Sequence, residues 1–98
     1  MTVLDHFPHD DVHRAAAEWQ PRLDRRHEII TTGGMAGVLR VGDALSTCGY
    51  QVHEFVADVQ DGVPYASVTC TVALTTAEAE LFTERLREVP TVIAVDLR

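Results

Sequence analysis

Lysine is absent from this 98-residue chain: its eight basic side chains are all arginines, set against 15 acids for a formal charge of −7. A surface this acidic repels phosphate backbones and anionic lipid heads, which argues against nucleic acid and membrane surfaces as partners. Cysteine is scarce as well. Cys48 and Cys70 make neither a CxxC pair nor a disulfide framework, so they read as free, buried thiols in a reducing compartment. No stretch approaches the ~18 apolar residues of a membrane span, and the opening MTVLDHFPHDD has no basic or apolar leader pattern. A cytoplasmic location is expected. What remains, 46% hydrophobic and 23% charged residues, is the composition of a globular protein of a length suited to one core.

Hydrophobic spacing divides the chain into alternating elements. Residues 27–32, HEIITT, are rich in β-formers and end at Gly33-Gly34. Val38, Val41, Leu45 and Cys48 then recur at i, i+3, i+7 and i+10, which is one stripe of a helix. Gly49 stands where a left-handed residue commonly closes such a helix. QVHEFVADVQ predicts a strand, Asp61-Gly62 a hairpin turn, and Pro64 a strand start or edge. Ala66, Val68, Cys70, Val72 and Leu74 alternate with Tyr65, Ser67, Thr69, Thr71 and Ala73, giving a strand with one apolar and one hydroxyl-rich face. Thr75 and Glu78 spell a capping box for a second helix. Its stripe of Ala79, Phe82, Leu86 and Val89 repeats the first at an offset of 41 residues, and Pro90 stops it. TVIAVDLR predicts a last strand with Ile93, Val95 and Leu97 on a shared face.

This order is the split βαβ plan: an α+β, ferredoxin-like βαββαβ domain over residues 26–98, with a four-stranded antiparallel sheet. Right-handed crossovers put both helices on one face and leave the other for a companion. Residues 1–25 predict an added N-terminal helix, with Pro8, Asp10 and Asp11 in its first turn and Pro21 at its end. Val12, Ala16 and Trp19 share a stripe that would dock on the domain or on a partner. His9 and His13 have the i, i+4 spacing at which two imidazoles share a metal, with His6, Asp5 and Asp10 nearby. A solvated acidic helix start accounts for the same residues, and no metal site is assigned.

At Gly37-Val38-Leu39-Arg40-Val41, opening a helix after a glycine-rich turn, and again at VPTVIAVDL, the chain resembles the ACT domain. Members of that family are small regulatory modules that bind amino acids at interfaces between paired copies. Within it, VLRV, Cys48-Gly49-Tyr50-Gln51-Val52, VTCTVAL and AELFTERLREVPTVIAV are similar to the small regulatory subunit of acetolactate synthase. The resemblance implies a chain without catalysis or cofactor. It would form a homodimer or pair with a larger enzyme subunit, and convey feedback from branched-chain amino acids. It places a small amino acid near Gly34, Met35, Ala36, Gly37 and Val38, with Tyr50 and His53. Amino-acid-binding members usually carry Asp or Asn where this chain has Gly34, so the group that would hold the ligand ammonium is missing. Gly37 matches, and its lack of a Cβ is expected to let a carboxylate approach the N–H groups at the helix start.

Two other readings stand beside this one. The glycine cluster at 33, 34 and 37 serves equally as an anion cradle or as a tight turn. It matches no dinucleotide or Walker pattern. A small isomerase- or cyclase-type enzyme would use His53, Tyr50, Glu54 and His27 as acid and base groups, in a pocket between the sheet and the N-terminal helix. No nucleophile stands at a recognisable spacing from them. A purely structural subunit would instead grip a larger protein through Trp19, Val12 and Phe7.

Overall fold

The computed structural model describes residues 21–98. The expected N-terminal helix, its Trp19 stripe and the His9/His13 pair lie outside the described residues. The elements run β1 (Leu23–Thr32), α1 (Met35–Ser46), β2 (Val52–Val59), β3 (Tyr65–Leu74), α2 (Thr76–Arg87) and β4 (Val92–Leu97). The strands form one sheet in the order β2-β3-β1-β4, every neighbouring pair antiparallel. This is the expected ferredoxin-like plan. β1 is longer than HEIITT suggests: it starts at Leu23, where Leu23–Arg26 pair with Leu74–Thr71 of β3, so the sheet reaches into the segment assigned to the N-terminal extension. No helix among the described residues is long and apolar enough to cross a membrane.

Both helices cover the same side. Val38, Val41 and Leu45 of α1 and Phe82 and Leu86 of α2 pack on Ile29 of β1 and on Ala66, Val68, Cys70, Val72 and Leu74 of β3. The period-2 alternation of β3 therefore sorts its side chains as the sequence indicates, apolar inward and hydroxyl outward. Burying a side chain such as Phe82 contributes roughly 1.5–3 kcal/mol. Burial also pushes the Cys70 thiol up to about 11, so it behaves as a small core hydrophobe.

The shared face expected for β4 is only partly realised. Val95 is buried, but Ile93 and Leu97 are exposed, because β4 is an edge strand and slips its register against β1 between Ile30 and Thr31. Thr31, fully buried at that bulge, donates its hydroxyl to the Thr91 carbonyl (3.1 Å) and lies 2.8 Å from the Thr91 hydroxyl, which satisfies it without water.

The two helix starts differ. α2 has its full capping box: Glu78 N–H donates to Thr75 Oγ1 (3.1 Å) and Thr75 N–H to Glu78 Oε1 (2.9 Å). Arg22 adds a two-pronged contact to the same carboxylate at 3.0 and 2.8 Å, which holds the Glu78 carboxyl below the usual carboxylate range. α1 starts at Gly34 with no side-chain cap and no acid in its first turn.

His27 is a second titratable group in the core. It is 1% exposed and meets the Phe82 ring edge-on at 5.0 Å, and its Nδ1 has no hydrogen-bond partner among the described residues. Desolvation, with Arg25 nearby, holds its pKa below the ordinary histidine value. The unfolded chain thus binds this proton more readily than the folded one. Stability from a neutral His27 is complete above the unfolded pKa of about 6.5 and falls as pH drops below it. Urea unfolding at pH 8, 6.5 and 5 should show that loss in the native protein. In His27→Gln, less stable at pH 8, the native and variant curves should converge toward pH 5.

Candidate functional site

The strand-to-helix turn after β1 is built by backbone sterics. Gly33 and Gly34 both have positive φ, 86° and 58°. At Gly34 the paired ψ of −130° lies outside the left-handed helical well that Asn or Asp tolerate, so the turn requires glycine. The Asp or Asn that amino-acid-binding ACT domains usually carry would be strained at this position. Gly33 N–H donates to the Pro64 carbonyl (3.2 Å) and Thr32 N–H to the Thr91 carbonyl (2.8 Å), tying the turn to the starts of β3 and β4.

Gly37 serves packing. A Cβ there would lie 1.9 Å from the Thr32 carbonyl oxygen and 2.7 Å from Thr31 Oγ1. The space its missing Cβ leaves is filled by the chain's own strand, so this glycine is needed for packing whatever binds at the turn. What the turn leaves open is on the other side. Met35 and Ala36 are exposed, and the uncapped first turn of α1 presents N–H donors at the positive end of the helix dipole. Val38 N–H closes the first helical bond to Gly34 (3.1 Å), and the Val38 side chain is in the core.

Tyr50 and His53 do not join this turn within one chain. They follow the far end of α1, whose 12 residues span about 18 Å at 1.5 Å each. Tyr50 packs edge-on against Phe82 at 6.3 Å, on the helix side. His53 is the extra residue of a bulge between Val52 and Glu54 and lies on β2 with its Nε2 3.5 Å from Asp24 Oδ1. Glu54 accepts from the Thr71 hydroxyl (3.2 Å) and faces Arg26 at 3.8 Å, while Arg98 bonds Glu28. The face turned from the helices is thus a charged ladder over a hydroxyl-bearing strand. The four acid–base candidates divide between the two faces: His27 and Tyr50 flank Phe82, and His53 and Glu54 sit behind the sheet. No cluster of three or more metal-ligating side chains occurs among the described residues.

Sequence reasoning missed the uncovered edge of β2. Every residue of that strand after Val52 is exposed, including Phe55 at 43% and Val56 at 54%. Among the described residues no strand lies outside β2, and its Phe55, Val56 and Ala57 run is the signal in the sequence for a strand edge that seeks cover.

No protein-family model matches the chain, and no curated protein matches it in sequence. Solved structures do match. The crystal structure of the ACT domain from GTP pyrophosphokinase of Chlorobium tepidum superposes with a TM-score of 0.66 at 14% identity, over 79% of this chain and 99% of that one. The solution NMR structure of the same domain gives 0.62 at 16% identity, over 78% and 85%. The likeness establishes an ACT-type ferredoxin-like fold.

The steric account of the turn makes a direct prediction. Gly37→Ala forces a methyl into the Thr32 carbonyl and should cost at least about 2 kcal/mol. Gly34→Ala, which meets no atom within 4 Å, should cost only the backbone strain of about 1–2 kcal/mol. Urea midpoints of the two variants check the order; equal losses would contradict it.

Proposed function

We propose that this chain is a small regulatory, partner-binding domain that takes an amino acid at the start of α1 when two copies pair through β2. One observation supports the reading: β2 is an edge strand among the described residues, with Tyr50 and His53 at its start and Val59 at its end paired with Ala66, two residues past the Pro64 carbonyl that the Gly33 turn bonds. β2 runs from Val52 at the Tyr50 end to Val59 near the turn. A two-fold, antiparallel pairing of β2 with its copy would set the partner's Tyr50 and the partner's His53 beside this chain's Gly34, Met35, Ala36, Gly37 and Val38. The ligand carboxylate would meet the free N–H groups of α1. With no side chain at Gly34, the ammonium would be held by groups of the second copy.

The fold supports a regulatory role through its likeness to ACT domains. The residue pattern shared with the acetolactate synthase small subunit supports a larger enzyme as a further partner, and branched-chain amino acids as ligands. Regulation would then be linkage: a ligand bound between copies favours one pairing, and the partner's activity shifts only as far as the ligand discriminates between states. An enzyme reading is disfavoured by the division of the acid–base candidates between two faces.

Sedimentation of the native chain should show a dimer, and calorimetry with valine, leucine and isoleucine should show binding. Val56→Glu places like charges near the two-fold centre of paired β2 strands and should yield a folded monomer that has lost at least about tenfold in amino-acid affinity. A variant that stays dimeric, or binds as the native chain does, would overturn this arrangement.

A further inference from the structure

At the other edge of the sheet a cleft of about 440 Å³ opens between α2 and the ends of β1 and β4. Its volume is in the range of small-molecule sites. Three observations bear on what it would hold. First, Arg25 is fixed at one end: its Nε donates to the Leu74 carbonyl (3.0 Å), and its Nη2 reaches Thr76 Oγ1 (3.4 Å). This leaves a pre-positioned guanidinium and a hydroxyl side by side, which is how a carboxylate is received. Second, Glu80 and Glu84 follow Thr76 along α2 at intervals of four residues, so their α-carbons stand about 6 Å and about 12 Å further along the wall. Third, the floor carries His27, buried and with its Nδ1 unpartnered among the described residues, beside the exposed side chain of Leu97.

With Arg87 counted the wall is neutral in sum, with Arg25 at one end and Glu80 and Glu84 further along. Arg87 stands beyond Glu84 and limits how far a cationic tail extends. We infer that this cleft binds a short ω-amino carboxylate, its carboxylate on Arg25 and Thr76 and its terminal ammonium on Glu80 and Glu84, with its methylenes over Leu97. An α-amino acid is too short, because its two charges are about 2–3 Å apart whereas the α-carbons of Thr76 and Glu80 are about 6 Å apart along the wall. The site is distinct from the α1 turn and independent of pairing through β2.

The test is a titration of the full-length, isotope-labelled chain with 5-aminopentanoate, followed by amide and imidazole NMR signals. Saturable shifts are expected at Arg25, His27, Thr76, Glu80 and Glu84. Pentanoate, which lacks the cation, and pentylamine, which lacks the carboxylate, should each bind at least about tenfold more weakly. The double variant Glu80→Gln/Glu84→Gln should lose the same factor while keeping the native thermal midpoint, since both side chains are exposed. Shifts that do not saturate, that fall on Gly34–Val38 instead, or that are as strong with pentylamine or in the double variant would overturn the inference. Leucine or valine shifts confined to Gly34–Val38 report the other site, so the two proposals fail separately.

Discussion

The closest constraint in this protein is the contact between Gly37 and the Thr32 carbonyl, where the first helical turn of α1 rests directly on the end of β1. Any side chain at Gly37 would separate the two. The stripe Val38, Val41 and Leu45 would then lift off Ile29 and Val68, since all lie on the same rigid helix. The same approach requires the chain to reverse within two residues, which explains why Gly33 and Gly34 both occupy positive φ. A third consequence is that no residue at the helix start is free to cap it. Gly34 has no side chain, and the next polar side chain on α1 is Arg40, in its second turn. An open, positively polarised helix start is therefore a by-product of tight packing, and a binding function there needs no feature beyond that geometry.

The two edges of the sheet are managed differently. β4 is slipped by a bulge and tied back by Thr31 and Thr91, and α2 lies above it with its charged flank outward. Bulges and nearby charge are common means of discouraging strand addition. β2 has a bulge only at His53, leaving Glu54–Val59 regular and exposed, with Phe55 and Val56 at its middle. A regular edge with Phe55, Val56 and Ala57 exposed between Glu54 and Asp58 offers a second strand unpaired backbone groups and apolar side chains to cover. The face behind the sheet is less inviting. Its Asp24–His53, Glu54–Arg26 and Glu28–Arg98 pairs satisfy one another within the chain, so a partner covering it would have to desolvate charges that already have partners.

The fold was legible because its signals are periodic. Strict alternation in β3, two stripes with identical spacing and a capping box each specify local geometry without tertiary information, and Thr75 and Glu78 bond as their types imply. The misjudged points are those where tertiary context decides. β1 extends back to Leu23 because β3 is long enough to pair with it, a fact that Leu23-Asp24-Arg25-Arg26 does not carry. Ile93 and Leu97 fall on an edge strand that neither α1 nor α2 fully covers. At the site, the glycine cluster was recognisable as a strand-to-helix turn, but the role of Gly37 was not. A missing Cβ reads the same whether the space belongs to a ligand or to the protein's own carbonyl.

The absence of an acid at position 34 follows from the same logic. With φ at 58° and ψ at −130°, an aspartate would carry backbone strain of order 1–3 kcal/mol, a sizeable part of the stability of a domain this small. A turn built from two positive-φ glycines and a flush helix start leaves no local side chain to hold an ammonium group. If an amino acid binds at this turn, the missing acceptor must come from outside the turn. In the paired arrangement proposed above, the strand that joins β2 would supply it. Sensing and pairing would then be one event rather than two, because the half-site on a single chain holds only the carboxylate.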